Sequence, residues 1–63
     1  MSTAIDHIDY DEWGETLTVR FTDGSRYKFW NVPAEEYASL LYAGSTGGYF
    51  NAHIRGKYSY RRD

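Results

Sequence analysis

The side chains best able to engage a ligand gather in the last eleven residues of the chain. Arg55, Lys57, Arg61 and Arg62 supply cations, Tyr58 and Tyr60 set ring faces between them, and His53 stands just before the run. Guanidinium and ammonium groups meet phosphates, and rings stack on bases for ~1–3 kcal/mol each, which is what a single-stranded nucleic acid site requires. Four or five phosphate contacts of this kind imply weak, strongly salt-dependent binding. The same residues admit a structural reading. There Tyr58 and Tyr60 cover a sheet, Arg55 pairs with Asp9, Asp11 or Glu36 to pin the tail, and His53 bonds a backbone group.

Catalytic and metal chemistry finds less support. His7 and His53 lack metal-ligand spacing and the chain has no cysteine to supplement them, so no metal and no cofactor are expected. Ser45, His53 and an aspartate form a triad on paper, but no nucleophile elbow accompanies them. Asp9 and Asp11 lie two apart beside a turn, a spacing that suits a cation and suits two solvated carboxylates equally. Gly44, Gly47 and Gly48 lack the trailing Lys-Ser/Thr of a phosphate loop. The chain reads as a binding protein and not as an enzyme.

The elements that must position these groups follow from periodicity. Residues 4–10 read as a strand that leaves through Asp11-Glu12-Trp13-Gly14, with Trp13 a lid on the edge of the core. Over 15–22, Leu17, Val19 and Phe21 alternate with Thr16, Thr18, Arg20 and Thr22, the pattern of a half-buried strand. A third strand spans Ser25–Trp30, with Tyr27 and Phe29 on the apolar face and Trp30 on the other, exposed if no helix covers it. A two-residue Asp23-Gly24 loop would set Phe21 against Arg26. The three-residue loop Thr22-Asp23-Gly24 sets Val19 against Tyr27 and Leu17 against Phe29, so it is the one expected, with Gly24 left-handed.

Pro33, Glu35 and Glu36 suit a helix start, Tyr37, Leu40 and Leu41 repeat at helical spacing, and Gly44 suits its end. Ser45 caps a second, shorter helix with Tyr49, Phe50, His53 and Ile54 on one face, stopped by Gly56. Asn51 and Arg55, four apart, then point outward, Asn51 as a structural anchor and Arg55 as a ligand contact. Residues 57–62 alternate aromatic and polar, as an extended segment on the sheet or across its edge. The fold class is therefore α+β: a three-stranded antiparallel β-meander, two short helices packed on one face, and an extended C-terminal segment.

Bulk properties set the limits. Sixty-three residues allow one domain, 1–63. A chain this short hides only about 60% of its unfolded surface, and twelve aromatic residues compensate with large buried areas. The start, Met1-Ser2-Thr3-Ala4, lacks the basic and apolar regions of a signal peptide, and no apolar run suits a membrane span. The expected location is cytoplasmic. Net charge is −2, yet residues 1–36 carry eight acids against three bases, while residues 37–63 carry four bases against Asp63. Such asymmetry marks a polyanion-facing half or a domain whose halves neutralise one another.

The run from Gly48 through Tyr49-Phe50-Asn51-Ala52-His53-Ile54-Arg55-Gly56 to Lys57-Tyr58-Ser59-Tyr60-Arg61-Arg62 resembles the signature of the KTSC domain, named for the C-terminus of certain lysyl-tRNA synthetases. Ile5, Ile8-Asp9-Tyr10-Asp11, Leu17-Thr18-Val19-Arg20-Phe21 and Val32-Pro33 are similar to it as well. Ser59 departs from the pattern, which often places proline between the two tyrosines. The resemblance implies a free-standing bacterial or phage protein in which Tyr49, Phe50, Asn51 and Ile54 form the structural motif. Through its synthetase association it implies RNA or another nucleic acid as partner. The alternative partner is another protein, reached through unpaired sheet edges and an exposed tryptophan, with the chain a monomer or weak homodimer.

Overall fold

The computed structural model describes residues 5–63, so Ala4 of the expected first strand and the N-terminal tetrapeptide lie outside the described residues. Three strands follow in order: β1 (Ile5–Asp11), β2 (Thr16–Phe21) and β3 (Arg26–Phe29). The register of the second hairpin is the one that keeps apolar residues together, Leu17 opposite Phe29 and Val19 opposite Tyr27. Phe21 and Ser25 close its loop. The Phe21 amide donates to the Ser25 carbonyl, the Gly24 amide donates to the Phe21 carbonyl, and Gly24 takes φ +92°. Thr22-Asp23-Gly24 is thus a three-residue loop whose last position favours glycine.

β1 contains a feature that alternation alone does not show. Its apolar residues Ile5, Ile8 and Tyr10 are spaced three and then two apart. The register shifts between Ile5 and His7, so that Ile5 pairs with Phe21, Ile8 with Val19 and Tyr10 with Leu17. This bulge returns both isoleucines to the core face.

Two expectations need correction here. The sheet has four strands, in the order β1-β2-β3-β4, because Tyr60–Arg62 (β4) pairs antiparallel with β3. The segment is extended as expected, and of the two placements open to it, on the sheet or across its edge, it takes the edge, where it pairs as a fourth strand. Trp13 is not a lid on the core's edge: it is 94% exposed in the β1–β2 turn.

Helix α1 (Ala34–Tyr42) starts after Pro33, whose carbonyl accepts from the Glu36 and Tyr37 amides. Leu40 is buried while Leu41 is half exposed, so one residue of the expected apolar set leaves the core. Helix α2 (Thr46–Tyr49) opens at Ser45, whose hydroxyl accepts from the Gly48 amide at 3.1 Å. It runs straight into a π-helical turn, Phe50–Ile54, closed by the Arg55 amide donating to the Phe50 carbonyl. Gly56 at φ +80° then ends the helical path. The helices and the inner sheet face enclose Leu17, Val19, Phe29, Val32, Leu40, Phe50 and Ile54. At ~25 cal/mol per Å² of apolar surface hidden, this core and its aromatic surround stabilise a fold with no cross-link.

Candidate functional site

The sheet face that the helices cover is not covered at its β3–β4 end. There a groove of about 540 Å³ opens, with Phe21, Tyr27, Phe29, Phe50 and Tyr60 as its aromatic wall. Thr22, Asp23 and Ser25 of the β2–β3 loop also line it, together with Arg55 and Gly56 from the end of the π-helical turn.

Each wall residue has a traceable cause. β3 sends Tyr27 and Phe29 to the inner face, and β4 registers Arg62 against Tyr27 and Tyr60 against Phe29. Period-two alternation therefore places Tyr60 and Arg62 on the same inner face. The rings engage edge-on or tilted, Phe29 with Phe50 at 5.4 Å, Phe29 with Tyr60 at 5.6 Å and Tyr27 with Tyr60 at 5.8 Å. The Arg62 guanidinium lies 5.9 Å from the centre of the Tyr27 ring, a cation–π separation. Tyr60 is 58% exposed, so much of its ring stays open to solvent.

Asp23 is held in place within its own loop. The Ser25 amide donates to its Oδ1 at 2.9 Å and the Ser25 hydroxyl to the same oxygen at 2.6 Å. Those two bonds, the hydroxyl one foremost, hold the carboxyl below its usual range, and the nearby Arg62 charge lowers it further.

The basic-aromatic run of the sequence is not one patch in space. Arg55 and Tyr60 line the groove, and Arg62 lies beside it over the Tyr27 ring. Arg61 pairs with Lys28 and faces the opposite side of the sheet. That opposite face also carries a shallow hollow formed by Asp9, Asp11, Thr16, Thr18, Lys28 and Trp30, where Trp30 is half-buried.

Lys57 and Tyr58 instead meet Glu36 of α1. Lys57 Nζ lies 3.8 Å from Glu36 Oε1, and the Tyr49 hydroxyl donates to Glu36 Oε2 at 3.0 Å. Burial raises the Tyr58 phenol, and the Glu36 charge raises it further. The acid that pins the tail is therefore bound by Lys57, where the structural reading had Arg55. Arg55 Nη1 donates to Asn51 Oδ1 at 3.4 Å across one turn, and both residues are exposed. His53, also exposed, stacks on Tyr49 at 4.3 Å.

Sequence reasoning missed the loop side of this site. Thr22, Asp23 and Ser25 looked like turn residues only, and nothing in their spacing announces that β4 will build a wall beside them. Among the described residues no group of three or more His, Cys, Asp or Glu is placed to hold a metal ion. Nor, among them, is any helix long and apolar enough to cross a membrane.

Comparison with known proteins gives the chain a lineage. The profile of the KTSC domain family matches residues 1–58. A protein of Tsukamurella paurometabola is 37% identical over 57 residues, spanning 90% of this chain and 85% of that one. Lysine–tRNA ligases are similar too, that of Nostoc punctiforme at 33% over 95% of this chain and that of Trichormus variabilis at 38% over 84%. The chain spans about a tenth of either ligase, 11% and 9%. The crystal structure of a KTSC domain protein from Yersinia pestis superposes with a TM-score of 0.90 at 30% identity, covering 100% of this chain and 89% of that one. With the four-stranded α+β fold and the signature run both in place, the chain belongs to the KTSC domain family.

Proposed function

We propose that this protein is a non-catalytic binding domain that takes single-stranded nucleic acid, RNA foremost, in the groove between β3–β4 and the π-helical turn. The observation that carries the reading is one aromatic-walled groove lined by Arg55 and the open Tyr60 ring, with Arg62 set against the Tyr27 ring of its wall. A base stacks on Tyr60 while the two guanidiniums meet the flanking phosphates. Its similarity to part of lysine–tRNA ligases, enzymes named for an RNA substrate, agrees with RNA. Lys57 and Tyr58 support the site by docking the tail on Glu36, His53 packs on Tyr49, and Arg61 lies outside the groove.

A labelled single strand titrated at low salt tests the proposal. Tyr60→Ala should weaken binding about tenfold, within the ~1–3 kcal/mol of one stacked base. Two phosphate contacts predict a salt slope of about −1.4, at ~0.7 per contact for single strands. No binding at high micromolar protein, or binding indifferent to both Tyr60→Ala and Arg55→Ala, rules the reading out.

A second reading, a protein-interaction module, rests on exposed apolar surface. Trp13 is 94% and Tyr42 88% exposed, and β1 and β4 leave the sheet with two edges. Sedimentation at several concentrations separates the versions, since a strict monomer removes the homodimer.

A further inference from the structure

The groove carries two groups of opposite sign, Arg55 from the end of the π-helical turn and Asp23 from the β2–β3 loop. We infer, on the nucleic-acid reading above, that Asp23 makes the groove select bases bearing an exocyclic amine, cytosine over uracil among pyrimidines.

Three observations support this. The loop that carries Asp23 is fixed by two backbone bonds, from Phe21 to Ser25 at 2.9 Å and from Gly24 to Phe21 at 2.9 Å. The carboxylate is fixed within the loop, because both Ser25 bonds end on the same oxygen, Oδ1. Oδ2 is then the second acceptor, and its direction is set by the turn rather than by free rotation. An ionised carboxylate accepts and never donates. The Ser25 bonds keep this one ionised well into mild acid.

A base stacked on Tyr60 presents its edge towards one end of the groove. Cytosine offers its N4 amine, which pairs with a carboxylate. Uracil offers O4 at the same position, and two acceptors face each other there. The two bases have the same ring size, so stacking on Tyr60 is nearly equal and the difference reports the edge. Charge-assisted bonds are the stronger class, but Asp23 is exposed, so a modest preference of about fivefold is expected.

The test compares short oligocytidine and oligouridine strands on the parent protein and on Asp23→Asn. The asparagine keeps an oxygen for both Ser25 donors, which holds the loop, and turns its amide nitrogen towards the groove. A thermal melt of the variant checks that the fold is unchanged. The parent should bind oligocytidine about fivefold more tightly, and Asp23→Asn should erase or invert that preference while total affinity for oligouridine holds or rises. Equal affinity for both strands on the parent, or a preference that survives Asp23→Asn, overturns the inference and leaves the nucleic-acid reading standing. Failure of both strands to bind the parent removes the nucleic-acid reading and this inference with it.

Discussion

Replacing Glu36 by alanine removes the polar contacts that join α1 to Tyr49 and Lys57, and the structure sets the size of the effect. The Glu36 side chain is 13% exposed. Its Oε2 accepts from the Tyr49 hydroxyl at 3.0 Å, a charged and partly buried hydrogen bond worth ~1.5–3 kcal/mol. Lys57 adds little, because its side chain is 59% exposed and the pair is 3.8 Å apart, so ~0.5 kcal/mol is a ceiling after solvent screening. Glu36 Oε1 is buried without a hydrogen-bond partner, an unreturned desolvation cost that pulls the sum down. The balance is ~2 kcal/mol. A domain of this size holds only ~3–5 kcal/mol in total. At 4–8 °C per kcal/mol, Glu36→Ala should melt about 10–15 °C below the parent by circular dichroism. Glu36→Gln keeps an acceptor for Tyr49 and should lose roughly half as much. A melting point for Glu36→Ala within 2 °C of the parent, taken as an order-of-magnitude threshold, would refute the role assigned to this carboxylate.

Alkaline pH should weaken the fold through three phenols. Burial raises Tyr10, Tyr49 and Tyr58 above their ordinary 10.0, with Glu15 adding to Tyr10 and Glu36 to Tyr58. The unfolded chain therefore releases these protons first, so their contribution is full below pH 10 and is lost as pH rises through the folded values. Denaturant midpoints should hold steady towards pH 10 and drop beyond it, and a flat profile would contradict the burial of these rings. Ser45→Ala removes the hydroxyl that caps α2 and should cost ~1 kcal/mol, read as a shift in urea midpoint with unchanged slope. Ser59→Pro should leave the fold intact or stabilise it by up to ~1 kcal/mol, because Ser59 is joined to β3 through its carbonyl, which accepts from the Trp30 amide at 2.9 Å and which proline retains. Loss of stability in that variant would show that its φ or its amide matters.

What the sequence made legible is what alternation and turn chemistry dictate. The hairpin register was legible because only one loop length keeps Leu17, Val19, Tyr27 and Phe29 on a single face, and Gly24 permits that loop. The Ser45 cap and the Gly56 stop were legible for the same local reason. The β1 bulge was encoded in the spacing of Ile5, Ile8 and Tyr10, but a three-residue gap also fits a helix face or a loop. β4 was half legible, because alternation over residues 57–62 marks an extended segment but not that its three exposed residues Tyr60–Arg62 are a strand of the sheet. Pairing with β3 makes it one, and that pairing is tertiary. The Lys57–Glu36 contact is of the same kind, fixed by where Gly56 sends the chain.

The candidate site inherits that division. Its aromatic floor belongs to the hairpin and was half visible as the inner-face set Phe21, Tyr27 and Phe29. Its ligand-facing groups depend on β4, and β4 divides the charge that the sequence shows as one block. Arg62 goes to the inner face beside the groove and Arg61 to the far side of the sheet, because adjacent residues of a strand point oppositely. Counting the C-terminal half as a basic patch thus overstates the cations available to a phosphate backbone. With two guanidiniums and an aspartate at its rim, the groove is poorly equipped for tight, charge-driven binding. It is better equipped for one stacked base with a readable edge. That ratio of stacking to charge is why Tyr60, more than the basic residues, is where the nucleic-acid reading is most exposed to refutation, and why Asp23 tests only the base preference built on it.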